Sequence, residues 1–359
     1  MEECASSHLL QGHAVLDELE ADPIACPRAG DRLTGRSRPL AEQTSSSIKL
    51  PIVDAHVHFY DSTVNVHRFL EQVDATFEAL VGDYSALPHR FLLDDYLAQT
   101  QSCDVRGVVC HEYLSEDPVG EMRWLQRQVD ASPIPHAIVA LVDFLDPHLE
   151  ERLEAYRALP AITAVRQHLG WDSDNPVRRF AARGDLLGDA GWRRGLSRLA
   201  ATDYKCGLEV FAPQLPELLP VVRSNPEIGF TVAVLGWPVD LTPVGFERWR
   251  RDMRALSESD NVCASVSAIE CLFGRSWTVE TIRRWLLSAV ELFGPDRCML
   301  GSHMPIATLS RGFEPLYAAY REILADFSAG EQGKMFQGVA AQWFRLRPAR
   351  EAVTTAMPA

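Results

Sequence analysis

The chain contains no uninterrupted apolar run near the roughly 20 residues that a membrane helix needs. Its first residues, MEECASSHLLQGHAVLDELEADP, are acidic where a secretory leader opens basic. Both absences make the cytosol the expected compartment and give no reason to look for a membrane partner. A basic surplus is also missing. Lys and Arg number 35 against 49 Asp and Glu, a formal net charge of −14, so a polyanion such as DNA is repelled on average and nucleic acid is excluded as an expected partner. Basic clusters such as RRF and RWRR lie among acids or apolar residues and read as solvated helix faces. The eight cysteines never form CxxC, and Cys110, Cys206, Cys263 and Cys298 fall within apolar runs where a thiol packs as a small hydrophobe, so no disulfide framework is needed. There is no Walker loop, GxSxG elbow, HExxH helix or sustained heptad, which removes the corresponding nucleotide, serine-hydrolase, zincin and coiled-coil readings.

What remains is a 359-residue chain of ordinary globular make-up, 47% hydrophobic and 23% charged. Residues 1–47, with CPRAGDRLTGRSRPLAEQTSSS, have no sustained period and read as an irregular extension with one short helix candidate at HAVLDELE. From residue 48 to 348, apolar runs alternate with amphipathic segments, and residues 349–359 form a tail. The strand candidates are KLPIVDAHVHF, VRGVVCHEY, HAIVALVDF, AITAVRQHL, KCGLEVFA, IGFTVAVLG, NVCASVSAI and RCMLGSHM, apolar on both alternating faces as strands buried on both sides are. Between them run segments such as DPVGEMRWLQRQVDAS and TVETIRRWLLSAVELFG, with apolar residues at three- and four-residue steps and Asp, Thr or Pro at several starts. Eight such pairs predict an α/β fold, a single-domain (β/α)8 TIM barrel, which typically takes about 250 residues plus insertions. A doubly wound sheet would want a Gly-rich loop after the first strand, and DAHVHFYD has none. The closing GEQGKMFQGVAAQWFRLRP reads as a helix covering the barrel wall.

His56 and His58 are two apart on the first strand, so both project from one face at the strand end where barrel chemistry sits. Two converging imidazoles hold a divalent metal or handle protons, with Asp54 or Asp61 as orienting neighbours. The alternative is a pair of core histidines bonded to backbone carbonyls.

IVDAHVHFYD, GVVCHEY with EMRWLQ, AVRQHLGW, GLEVFAPQLPELLPVVRSNPEIGFTVAVLGWP, NVCASVSAI and DRCMLGSHMP follow one another over residues 50 to 346. In that order they resemble the amidohydrolase superfamily, in particular its TIM-barrel, lactonase-like branch that includes 2-pyrone-4,6-dicarboxylate lactonase. Three positions depart from the pattern that the resemblance implies. The sixth strand carries Ala233 and Val234 in AVLGWP where a DHLGxP-like string would place a histidine. The seventh has Ser265 in SVSA where relatives often carry a lysine. On the eighth, His303 in GSHMP replaces the Asp that normally binds metal or activates water.

His303 is itself a good base and a good zinc or iron ligand. His56, His58 and His303 are therefore the expected reactive cluster, either a three-histidine site for a divalent metal such as zinc with a position open for water or substrate, or a metal-free site. Adjacent residues on a strand point opposite ways, so only one of His111 and Glu112 is expected to face the interior, and the resemblance favours Glu112. Glu112 or Glu209, an acid inside an apolar run, would handle a proton, the alternative being a structural salt bridge. Arg166 and His168 share a strand face, and Arg166 is the expected clamp for a substrate carboxylate or carbonyl, the alternative being an arginine buried against a neighbouring acid. Trp171, Trp237 and Phe59 are candidates for the pocket lining. The expected partner is a small molecule, a carboxylate or carbonyl compound, and the N-terminal arm leaves homo-oligomerisation open. Hydrolysis of a lactone, ester or related carbonyl bond of a small organic acid is the leading expectation. The alternative is a decarboxylase, dehydratase or cyclase on the same barrel, and a third reading is a barrel that only binds.

Overall fold

A computed structural model of the chain describes residues 50–346, so the extension with its HAVLDELE helix candidate and the tail lie outside the described residues. Eight parallel strands form one sheet in which each pairs with the next in sequence: Pro51–Val57, Asp104–His111, His136–Leu141, Ile162–His168, Lys205–Glu209, Phe230–Val232, Val262–Val266 and Cys298–Leu300. The sheet closes on itself. His303 N–H donates to His56 O (2.7 Å), His58 N–H donates to Met304 O (2.8 Å), and Val57 and Met304 form a parallel bridge. This is the expected (β/α)8 barrel. Its helices are capped by the residue types expected at helix starts: Asp117 accepts from Gly120 N–H ahead of Pro118–Asp130, Thr242 from Gly245 N–H ahead of Pro243–Ser257, and Thr278 from Thr281 N–H ahead of Val279–Phe293.

Alternation along the strands divides the core in two. Ile138 and Ala140 join the large layer between sheet and helices, whereas Ala137 and Val139 join Val53, Ala55, Val109, Ala164, Cys263 and Met299 inside the barrel. The closing segment differs from its expected place on the wall. Val339, Ala340 and Phe344 pack into that inner set, and Trp343 Nε1–H donates to Thr231 Oγ1 (2.9 Å). Large apolar side chains fill space left by the small Ala and Cys residues inside, so the segment plugs the barrel instead of flanking it.

Closure of the first strand on the eighth depends on Gly301. A Cβ there would lie 2.7 Å from His56 Cβ and 2.8 Å from His56 N, and backbone cannot give way as a flexible side chain can. Gly301→Ala is expected to destabilise the barrel by about 2–3 kcal/mol, read as a lowered midpoint in urea unfolding.

The chain between the first two strands adds Ala75–Val81 and Leu93–Gln99, helices that no strong sequence period announced. The first carries Phe77, Leu80 and Val81 over the C-terminal mouth of the barrel.

Candidate active site

Three imidazoles meet at that mouth. Ring centroids of His56 and His58 are 4.9 Å apart, His56 and His303 4.8 Å, and His58 and His303 5.4 Å. One ligand atom from each lies within 4.8 Å of the others. Each ring is fixed by its Nδ1: that of His56 meets Ser267 Oγ (2.9 Å), that of His58 the carbonyls of Glu112 (3.0 Å) and His111 (3.2 Å), and that of His303 Glu270 Oε1 (2.5 Å). Nε2 of His56 is buried with no partner among the described residues. Burial, then the field of His111, keeps His56 well below the ordinary histidine range, and burial, then Arg166, does the same for His58. Both are neutral at pH 7 and offer lone pairs.

The backbone that aims these groups departs from strand geometry. His303 follows the eighth strand with φ +64°, and Ala268, with φ +53°, turns the chain after the seventh into the short helix Ile269–Phe273 that brings Glu270 and Cys271 to His303. Cys271 Sγ is 3.9 Å from His303 Nδ1, and Glu270, Cys271 and His303 form a second group of metal-ligand type. Ser267, Glu270 and Cys271 were not singled out from the sequence. The available signal was an acid inside the apolar string SAIECLF, just past a strand end, where a buried carboxylate needs a partner.

The flanking aspartates do other work. Asp54 accepts from Ser302 N–H (2.8 Å), Ser302 Oγ–H (2.5 Å), Tyr96 Oη–H (3.0 Å) and His56 N–H (3.2 Å), tying the first strand to the eighth without touching an imidazole. Burial outweighs these bonds and pushes its carboxyl up to about 6. Asp61 binds Thr63 in an exposed turn.

Beside the histidines lies a buried charge network. Arg166 Nε–H donates to Glu112 Oε1 (2.6 Å), Nη1–H to Glu209 Oε1 (2.6 Å) and to His111 Nδ1 (3.3 Å), and Nη2–H to Glu112 O (3.0 Å). His168 reaches the same two acids, with Nε2 3.0 Å from Glu112 Oε1 and Nδ1 2.9 Å from Glu209 Oε2. Carboxylates only accept, so both ring nitrogens carry hydrogen and His168 is an imidazolium. Burial opposes that charge, but Glu209 and Glu112 outweigh it and push His168 up to about 9. Burial would raise the two acids; Arg166 and then His168 overcome it and hold both below the usual carboxylate range.

Several expectations change here. Glu112 and Glu209, paired with two cations, are poor proton acceptors. Arg166 has four N–H donors engaged within the protein, which leaves little of the expected carboxylate clamp. His111 and Glu112 both reach the interior, because the strand ends at His111 and the alternation stops there. His111 stacks on His56 at 4.0 Å and donates from Nε2 to Ala55 O (3.1 Å). Trp237 lines the cavity above the histidines, but Phe59 and Trp171 do not. Phe59 is buried against Phe91, Tyr96 and His136, and Trp171 lies half-buried under the Arg179 guanidinium.

The network makes stability pH-dependent. A histidine raised from 6.5 to about 9 on folding contributes stability that is fully present below pH 6.5 and lost as pH rises through about 9. The loss amounts to about 3 kcal/mol at most. Melting temperature is therefore expected to fall between pH 6.5 and 9, and more steeply than in His168→Gln.

Residues 53–346 match the family model described as amidohydrolase. The chain belongs to the amidohydrolase family. Among curated proteins this amidohydrolase is 27% identical over 299 residues to the uncharacterised protein y4mH of Sinorhizobium fredii, covering 83% of this chain and 99% of that one. It is 28% identical over 221 residues to L-fucono-1,5-lactonase of Burkholderia multivorans, covering 58% and 71%. A Burkholderia multivorans amidohydrolase crystallised with zinc shares the fold at a TM-score of 0.69 and 22% identity, over 82% of this chain and 99% of that one. Membership makes the chain an enzyme of the amidohydrolase type. No helix among the described residues is long and apolar enough to cross a membrane.

Proposed function

We propose that this amidohydrolase opens a lactone or ester by attack of water on its carbonyl at the His56, His58 and His303 cluster. The observation that carries the reading is the buried, unpartnered Nε2 of His56 beside two further imidazoles whose Nδ1 atoms are already bonded. Each ring then has its Nε2 left for the space between them. The likeness to L-fucono-1,5-lactonase supports lactone chemistry.

The donor set fits a divalent cation: three imidazoles, two of them held neutral, with Glu270 fixing the third from behind as carboxylates fix metal-bound histidines. His56, His58 and His303 would hold it, and when bound it supplies Lewis acidity that polarises the carbonyl and acidifies water. The rest belongs to the chain. Glu270 holds the Nδ1 proton of His303, which leaves Nε2 as the lone pair toward the cavity and stabilises positive charge on the ring. In the metal-free protein, His303 Nε2 takes the proton of the attacking water and returns it to the leaving oxygen, giving the hydroxy acid.

Metal analysis of the purified protein, with a panel of lactones and esters assayed before and after chelation, tests this. Loss of hydrolysis on chelation and recovery with zinc supports the cation, and undiminished hydrolysis by metal-free protein supports the histidine relay. Absence of hydrolysis in both states overturns the reading. A non-hydrolytic reaction such as decarboxylation is the second reading, favoured by the apolar Val234 in the cavity wall, where water is poorly held. Release of carbon dioxide from aryl carboxylic acids would reveal it.

A further inference from the structure

The walls of the cavity above the histidines differ sharply from its floor. The space measures about 620 Å³ with its open mouth included. Phe77, Leu80 and Val81 enter from the helix between the first two strands, and Phe180, Phe211 and Trp237 form an aromatic arc, with successive centroids 6.4 and 5.7 Å apart. Val234 and Ile306 complete the apolar lining. Val234 is held at φ +52°, a left-handed conformation that β-branched residues rarely adopt and asparagine adopts readily. An apolar side chain thus occupies this wall at a steric penalty.

The floor is polar but internally balanced. Glu112 and Glu209 face Arg166 and His168, two negative charges against two positive, with the Arg166 and His168 donors engaged as described. In the metal-free protein no uncompensated cation among these groups awaits a carboxylate. Besides the Tyr113 hydroxyl, the Trp237 indole N–H and the Cys271 thiol, the walls offer no side-chain partners to a ring of hydroxyls, and each hydroxyl stripped of water without a new bond lowers affinity by about tenfold or more.

We infer that the substrate is an uncharged molecule whose reacting carbonyl is attached to an apolar, ring-bearing body, and that sugar lactones and ring-carboxylated lactones are discriminated against. The inference rests on the reading of this cavity as the site of carbonyl chemistry, but it concerns the walls and not the reaction. The test therefore measures binding apart from turnover, with lactams in place of the labile lactones. Three probes are titrated calorimetrically into the full chain after chelation: 3,4-dihydro-2-quinolinone, a ring-carboxylated derivative of it, and D-gluconolactam. The neutral aryl lactam is expected to bind at least about tenfold tighter than either of the others. Val234→Asn, which suits the backbone, is expected to narrow the gap between the aryl lactam and gluconolactam. Equal or tighter binding of gluconolactam or of the carboxylated probe overturns the inference, as does failure of the aryl lactam to bind at millimolar concentration. Tight aryl-lactam binding without any hydrolysis of dihydrocoumarin leaves the inference standing and removes the hydrolytic reading instead.

Discussion

Replacing His58 with asparagine is expected to lower kcat/KM for lactone opening by about three orders of magnitude, while the melting temperature moves by no more than a few degrees. The two effects separate because the two ring nitrogens have different tasks. Nδ1 serves the fold by bonding the carbonyls of Glu112 and His111 at the end of the second strand, and an asparagine amide donates to the same oxygens. Nε2 has no counterpart in asparagine, so the cluster loses one of its three lone pairs. The ring is also a neutral imidazole that burial and Arg166 keep from charging, so its removal leaves no buried ion behind. Steady-state kinetics beside a thermal scan check the pair of outcomes. Activity within tenfold of the parent would falsify the assignment of the cluster as the reacting centre.

The barrel was legible because its signal is repeated. Runs such as AITAVRQHL and KCGLEVFA became strands within a few residues of their expected limits, Ile162–His168 and Lys205–Glu209. Apolar patterning on both strand faces survives any one ambiguous residue. His56 and His58 were visible for the same reason, since a period of two fixes their common direction, and His303 stood out because the resemblance supplied a position to compare it with. The partners of these histidines were hidden. Glu270 reaches His303 only because Ala268 takes a left-handed turn and starts a five-residue helix, and no periodic signal marks a single turn residue. Likewise Phe77 is one aromatic in a short amphipathic helix, and nothing in the pattern says which strand end that helix overhangs. The charges stayed ambiguous for a different reason. Arg166, Glu112 and Glu209 were each recognisable as costly to bury, but sequence gives no distances, so their mutual neutralisation could not be told from readiness for a substrate.

That neutralisation sets up the largest expected change in stability. Arg166→Met is expected to cost about 3–5 kcal/mol, the usual result of removing one partner from a buried ionic group, and to lower the melting temperature by about 10 °C. Methionine fills similar volume, and Gly207, whose Cβ would lie 3.2 Å from Arg166 Cβ, leaves room for the long side chain, so packing is not the main loss. Electrostatics is. Without the guanidinium, Glu112 and Glu209 share only His168, and burial, which already pushes both carboxyls upward, is opposed by one cation fewer. Their folded-state pKa values then rise toward and above the unfolded ones. A carboxyl raised on folding contributes stability at low pH that is lost as pH rises through the new value, so the variant should become less stable between pH 5 and 8. For the two acids of the parent the sign is opposite: depressed carboxyls lose their contribution as pH falls. Adding Glu209→Gln to Arg166→Met removes the surplus negative charge and should recover part of the loss, whereas Glu209→Gln in the parent leaves Arg166 and His168 facing one acid and destabilises. Urea unfolding of the four proteins at pH 5 and 8 measures the coupling. Equal, additive losses at both pH values would mean that these four charges stand apart energetically despite their 2.6–3.0 Å contacts.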